Sequence, residues 1–166
     1  MRYELPALAY HLKESRDSFP PNPRARSPNP GFTALVIGPG GGRDLVSALV
    51  FGARHVDGVE LNPIIANDVM RDRFLAFSGG IYTNPRVRII VDDGRSFVRR
   101  TPERYDVIQA SIVDTWAATA AGAYTPTENT LYTVAGCNGC LRALPDAGVR
   151  KTSRGVCGGV HVGWCS

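Results

Sequence analysis

The sequence predicts an α/β fold, a doubly wound and mostly parallel sheet of the Rossmann-like type. Three observations carry that reading. The apolar run TALVIG (33–38) leads into a turn containing Pro39 and the glycines at 38, 40, 41 and 42, and a helical pattern follows. A second apolar run, HVDGVEL (55–61), delivers Glu60 at its tip, about eighteen residues past Gly42. Two more such runs, RVRIIVDDG (86–94) and YDVIQAS (105–111), continue the alternation with helical stretches between. Strands alternating with helices imply a parallel sheet covered on both faces, with ligands bound beyond the carboxyl ends of the strands.

Each element has its own signal. Residues 1–31 form an N-terminal segment with a short helical pattern around Leu8 to Leu12, followed by SFPPNPRARSPNPG, whose prolines mark a linker. The globular unit is expected to start near Phe32 and run to about residue 134. After the first strand, residues 43–52 place Leu45, Val46, Leu49 and Val50 on one helical face and end at Gly52. Residues 62–77 open with Asn62 as a cap and Pro63 at the first helical position, which predicts a second helix. SGGIYTNP (78–85) reads as a loop, and RSFVRRTPE (95–103) as a short helix broken near Pro102. From 135 to 166 the pattern degrades into a Gly- and Cys-rich tail. There CLRAL could supply a helical turn or two and GGVHVGW one weak strand, so the sheet is expected to be incomplete at its C-terminal end.

Composition bounds the function. At 166 residues the chain is about one domain and long enough to bury a core. The formal charge of +4 is spread along the chain without a lysine-rich block interleaved with aromatics, which argues against nucleic-acid binding. No run approaches the apolar length of a membrane span, and the first fifteen residues are too charged for a secretory signal core, so a cytoplasmic location is the default expectation. The four cysteines, Cys137, Cys140, Cys157 and Cys165, contain one CxxC but no second close pair, which argues against a metal site and leaves no metal expected.

The glycine spacing narrows the ligand. A dinucleotide fingerprint needs glycines at the first, third and sixth positions; Gly38 and Gly40 fit, but the sixth position is Arg43. The pattern is GxGxG through Gly38, Gly40 and Gly42, a spacing usual where a ligand without a pyrophosphate lies over the loop, S-adenosylmethionine being the commonest. No Gly-Lys-Ser/Thr follows, so a P-loop is excluded. A carboxylate in the position of Glu60 can accept hydrogen bonds from a ribose diol.

Residues 33–133 resemble the spermidine synthase-like family, which shares the class I S-adenosylmethionine-dependent methyltransferase fold. The resemblance rests on LVIGPGGGRD, VDGVELNP, VRIIVDDGRSF, YDVIQASIVDT and ENTLYT, in that order and spacing. It implies that Gly38, Gly40 and Gly42 form the loop under the methionine part of the cofactor and that Glu60 holds the ribose hydroxyls. It places Asp93 near the adenine amino group, with Asp92 as its solvent-facing neighbour. It also implies a transferase that uses S-adenosylmethionine or its decarboxylated form and an amine acceptor such as a polyamine; a homodimer remains an open expectation.

The chain departs from the family after the fourth strand. Where aminopropyltransferases carry Asp-Ser-Ser-Asp-Pro, this chain has Ser111, Ile112, Val113, Asp114 and Thr115. Ser111 stands in the place of the aspartate that helps take the amine's proton, and a serine hydroxyl does not accept a proton near neutral pH without a partner base. Asp114 is the candidate for attracting the cationic amine, and Glu128 and Tyr132 fall in the family's Glu-x-x-Leu-Phe/Tyr segment, with Tyr124 a weaker candidate. The family's following Glu-Phe-Tyr is here Val134, Ala135 and Gly136. The expectation is a chain truncated or altered after about residue 134, for which a frameshift or gene fragment is one hypothesis. The family's remaining elements should then reappear in another reading frame of the nucleotide sequence. Methyl transfer from S-adenosylmethionine and nucleoside binding without catalysis stand as alternatives to aminopropyl transfer.

Overall fold

The computed structural model describes residues 9–12, 31–111, 140, 142–145, 149–153 and 160–162. Its centre is a sheet of β1 (Phe32–Ile37), β2 (Ala53–Glu60), β3 (Val87–Val91), β4 (Val107–Ser111), β5 (Val149–Ser153) and β6 (Val160–Val162). Their order is β3-β2-β1-β4-β5-β6. Every neighbouring pair from β3 to β5 is parallel, and β6 runs antiparallel to β5. The doubly wound, mostly parallel sheet read from the sequence is the sheet observed. The tail adds β5 and β6 beside β4. VRKTS carries a single apolar residue in five, so its pairing has no hydrophobic signature in the sequence. The run GGVHVGW contributes the strand Val160–Val162.

Helix α1 (Arg43–Val50) starts directly at Gly42, and the chain leaves it through Phe51 and Gly52. Asn62 caps the next helix as its position suggests, its Oδ1 accepting from the Ile64 amide at 2.9 Å. That helix, Ile64–Arg73, is wound as a π-helix rather than at the 3.6-residue period, and Phe74 N–H reaches back five residues to Val69. It buries Ala66 and Met70 and ends four residues before the run expected from the pattern. The loop 78–85 contains a 3-10 turn, Ile81–Thr83. Helix α2 (Gly94–Arg100) stops before Pro102.

The strands bury both faces, as a parallel sheet requires. On one face Ala34, Val36, Val56 and Val107 pack with Leu45 and Ala48 of α1, with Ala66 and Met70, and with Ile81 and Tyr82. On the other face Leu35, Ile37, Val59, Ile108 and Ala110 pack with Val98 of α2, with Tyr105, and with Cys140 and Ala143. The first face also takes in Ala9 and Tyr10, both fully buried ahead of the proline-rich stretch. The Tyr10 ring stacks on Phe51 at 5.3 Å and meets Phe32 at 5.6 Å.

One charged group is built into this core. Asp57, on β2, has a fully buried side chain. Arg88, its register partner on β3, embraces it with Nε to Oδ1 at 2.8 Å and Nη2 to Oδ2 at 2.6 Å. The Tyr105 hydroxyl donates to Oδ2 at 2.6 Å, and His55 Nε2 lies 2.9 Å from Oδ1. Burial by itself would raise the Asp57 pKa; the Arg88, Tyr105 and His55 hydrogen bonds outweigh it and hold the carboxyl below its usual value. The same burial, with the bond to Asp57, pushes the Tyr105 hydroxyl upward. Asp57 thus ties β2, β3 and the entry to β4 together.

A group whose folded pKa is depressed stabilises the fold above its unfolded pKa, about 3.9 for aspartate, and that contribution is lost as pH falls through the lower folded value. Asp57→Asn should therefore cost about 2–4 kcal/mol at neutral pH. It should also flatten the loss of stability below about pH 4, because the group that titrates is gone. Denaturant melts of both chains between pH 2 and 7 check this; parallel acid limbs would contradict it.

Candidate functional site

The sheet changes direction at β1. The chain runs outward through β2 and β3 on one side, then returns to place β4 on the other. Such a switch leaves a crevice beyond the carboxyl ends of the two central strands. Their register aligns Ile37 with Ala110, so Gly38 and Ser111 are the next residues along each strand. The glycine turn and the end of β4 therefore flank one crevice. For Ser111 the description is limited to its backbone place at the end of β4. Asp114, Tyr124, Glu128 and Tyr132 lie outside the described residues, as do Cys137, Cys157 and Cys165.

The turn itself is specific. Gly38, Gly40 and Gly42 all have positive φ, at 68°, 46° and 85°, so the GxGxG positions coincide with left-handed backbone. Gly38 N–H is tied to the Val59 carbonyl at 2.9 Å, and Gly42 N–H closes a turn onto the Pro39 carbonyl at 2.8 Å. A Cβ at Gly42 would stand 2.7 Å from Ile81 Cγ2, whereas nothing lies within 4 Å of one at Gly40 or Gly41. One side of the turn is packed and the other faces open space.

Glu60 reaches this turn from the end of β2. Its Oε2 accepts from Gly40 N–H at 3.1 Å and its Oε1 from Asn62 N–H at 3.0 Å, and the residue is only 6% exposed. Each carboxylate oxygen accepts more than one hydrogen bond, so two anchored oxygens retain acceptor capacity for a ligand's hydroxyls. Tyr82, absent from the sequence-based candidates, completes the arrangement. It is 2% exposed and its hydroxyl donates to the Gly40 carbonyl at 2.7 Å. Burial pushes its ionisation upward, and the nearby Glu60 charge adds to that. Its one sequence signal is a large aromatic between a glycine pair and an Asn-Pro turn.

Asp93 begins α2. Its Oδ1 accepts from Ser96 N–H at 2.8 Å, an N-cap interaction that uses one of its two oxygens. Asp92 turns to Arg100 and also receives Asp93 N–H at 2.8 Å, and its side chain is 22% exposed. Gly94 follows because α2 starts against β1: a Cβ there would come within 2.5 Å of Ile37 Cγ2. Exposed Leu61 and Val91 sit at the ends of β2 and β3, beside Glu60. The carboxylates Glu60 and Asp93 thus stand at the carboxyl ends of two adjacent strands, with the glycine turn at a third.

Gly42→Ala forces a side chain into both a left-handed φ and the Ile81 methyl, whereas Gly40→Ala meets only the backbone cost. The expected losses are about 2–4 kcal/mol for Gly42→Ala and about 1 kcal/mol for Gly40→Ala. Thermal melts of the two variants check the ranking.

Comparison with known proteins follows the same lines. No family model matches the chain. It is 32% identical over 128 residues to the polyamine aminopropyltransferase of Serratia proteamaculans (strain 568), covering 74% of this chain and 40% of that protein. It is 31% identical over 124 residues to that of Pectobacterium carotovorum, with 74% and 40% covered. The chain thus spans about two fifths of the length of these relatives. Among solved structures, a spermidine synthase in complex with the transition-state analogue AdoDATO superimposes with a TM-score of 0.58 at 24% identity, covering 75% of this chain and 39% of the other. The spermidine synthase of Thermotoga maritima gives 0.54 at 23%, covering 75% and 37%. A SAM-dependent methyltransferase from Agrobacterium tumefaciens gives 0.53 at 14%, covering 87% and 42%. These structures share its fold, and over the matched span the sequence is similar to that of the polyamine aminopropyltransferases.

Proposed function

We propose that this chain is a spermidine synthase-like transferase domain. It binds an adenosyl-sulfonium cofactor, S-adenosylmethionine or its decarboxylated form, and passes an alkyl group to an amine-type acceptor such as a polyamine. The observation that carries this reading is the meeting of Glu60 with the left-handed glycine turn beside the switch point. The fit is chemical as well as spatial. The turn offers a bare backbone open on one side, and Glu60 offers acceptor lone pairs toward a ribose diol. Asp93 offers a carboxylate oxygen toward an adenine amino group, and exposed Leu61 and Val91 offer apolar surface to a base.

When bound, the cofactor supplies a carbon activated by its sulfonium, so that the leaving thioether needs little assistance. The chain's part is alignment and proton management. Glu60 and the glycine turn hold the nucleoside at the sheet edge. Asp114 attracts the amine by its charge. In such a transfer the acceptor nitrogen would replace the thioether on the transferred carbon, with the C–S electron pair leaving on sulfur, and would give up its proton to solvent or a partner base. Ser111 replaces the aspartate that assists this last step in the family. That replacement favours methyl transfer or plain nucleoside binding as the second reading.

Calorimetric titration with S-adenosylmethionine, its decarboxylated form and methylthioadenosine tests the site before any chemistry. Binding of at least one is expected, and no heat with any of them removes the proposal. Glu60→Gln should weaken the bound nucleoside by about 10–100-fold, since a charged acceptor is lost and an amide N–H is turned toward the Gly40 N–H or the Asn62 N–H. Product analysis then separates the readings: methylthioadenosine with an alkylated polyamine marks aminopropyl transfer, and S-adenosylhomocysteine marks methyl transfer. Full aminopropyl transfer by Asp114→Asn would refute the role given to that residue.

A further inference from the structure

The turn from 38 to 42 contains four N–H groups, because Pro39 has none. Three are committed: Gly38 to the Val59 carbonyl, Gly40 to Glu60 Oε2 and Gly42 to the Pro39 carbonyl. Gly41 N–H is the one in the turn with no partner among the described residues. Gly41 is exposed, and nothing lies within 4 Å of where its Cβ would stand. The direction of that N–H is not arbitrary. It belongs to the same planar peptide as the Gly40 carbonyl, and in a trans peptide the two bonds point in opposite directions. The Gly40 carbonyl is drawn toward the buried Tyr82 hydroxyl at 2.7 Å, so the Gly41 N–H is turned away from the core. The 3-10 turn that carries Tyr82 also sets Ile81 against Gly42, which fixes the height of the loop from beneath.

We propose that Tyr82 is a positioning residue: by holding the Gly40 carbonyl inward it aims the Gly41 N–H outward as a donor for the carboxylate that S-adenosylmethionine carries beyond its sulfur and that the decarboxylated form lacks. This rests on the adenosyl-ligand reading above and adds to it a specificity element on the thioether side of the nucleoside. Without the hydroxyl, the peptide between Gly40 and Gly41 is free to rotate, and the donor is correctly aimed only part of the time. Apparent affinity then falls by that fraction.

The test is calorimetry on the full chain with two probes, S-adenosylhomocysteine, which carries a carboxylate beyond sulfur, and methylthioadenosine, which does not. Tyr82→Phe should weaken S-adenosylhomocysteine by about 5-fold, the scale of one neutral hydrogen bond, and change methylthioadenosine by less than about 2-fold. Tyr105→Phe removes a comparably buried tyrosine hydroxyl bond at Asp57, away from the loop, and serves as the structural control. It should lower the melting temperature and leave both affinities within about 2-fold. Equal loss of both probes with Tyr82→Phe, or loss of neither, overturns the proposal. Binding of methylthioadenosine but not S-adenosylhomocysteine by the unaltered chain overturns it while leaving the adenosyl reading intact. Binding of neither overturns both. Should Tyr82→Phe fail to fold, the Gly41 amide of the unaltered chain gives the answer by NMR. A downfield shift with S-adenosylhomocysteine and not with methylthioadenosine supports the role, and an unmoved signal overturns it.

Discussion

The arrangement depends on one carboxylate. Glu60 joins the end of β2 to the turn after β1 by accepting an amide from each side, Gly40 and Asn62. The three left-handed glycines give the turn its path, and Glu60 holds that path against the neighbouring strand. The Tyr82 hydroxyl at the Gly40 carbonyl then leaves the middle of the turn little freedom. A ligand arriving here would meet a shape already formed, so less of its binding energy would be lost to ordering the protein.

β2 carries two buried carboxylates, three residues apart, and their fates differ. Asp57 is met by a guanidinium, and its charge is largely neutralised where it stands. Glu60 is met by neutral backbone amides, which orient the carboxylate without cancelling its charge. The strand's pleat sends the two in different directions, one toward Arg88 and Tyr105 and the other toward the glycine turn. The first arrangement is what a structural ion pair needs. The second is what an acceptor for an incoming polar group needs.

Much of the fold was legible because periodicity reports burial. The runs at β1, β2, β3 and β4 are apolar enough to be read as strands. The α1 face was read less well: the helix buries Leu45 together with Asp44, Ser47 and Ala48, while Val46 and Leu49 are only partly buried and Val50 is exposed. The GxGxG spacing and Glu60 could be read together because their relation is local, a turn and the next strand tip. What escaped was either polar in sequence or settled by long-range pairing. β5 is mostly polar. Ala9 and Tyr10 precede a proline-rich stretch, yet they pack in the core. The pairing of Asp57 with Arg88 follows from sheet register, which no local pattern announces. Tyr82 belonged to a segment read only as a loop, and its task became visible once the fold set it beneath the glycines.

The crossover from β1 to β4 has a kinetic consequence. β1 and β2 are joined through one short helix, but Thr33 finds Asp106 across 73 positions of sequence, with hydrogen bonds to the carboxylate at 2.8 and 3.1 Å. Closing so long a span costs more chain entropy than closing the β1–β2 unit, and such contacts slow folding. The crevice lies at that seam. Its two banks, the glycine turn and the end of β4, are far apart in sequence, so the crevice is whole only where β1 and β4 have paired.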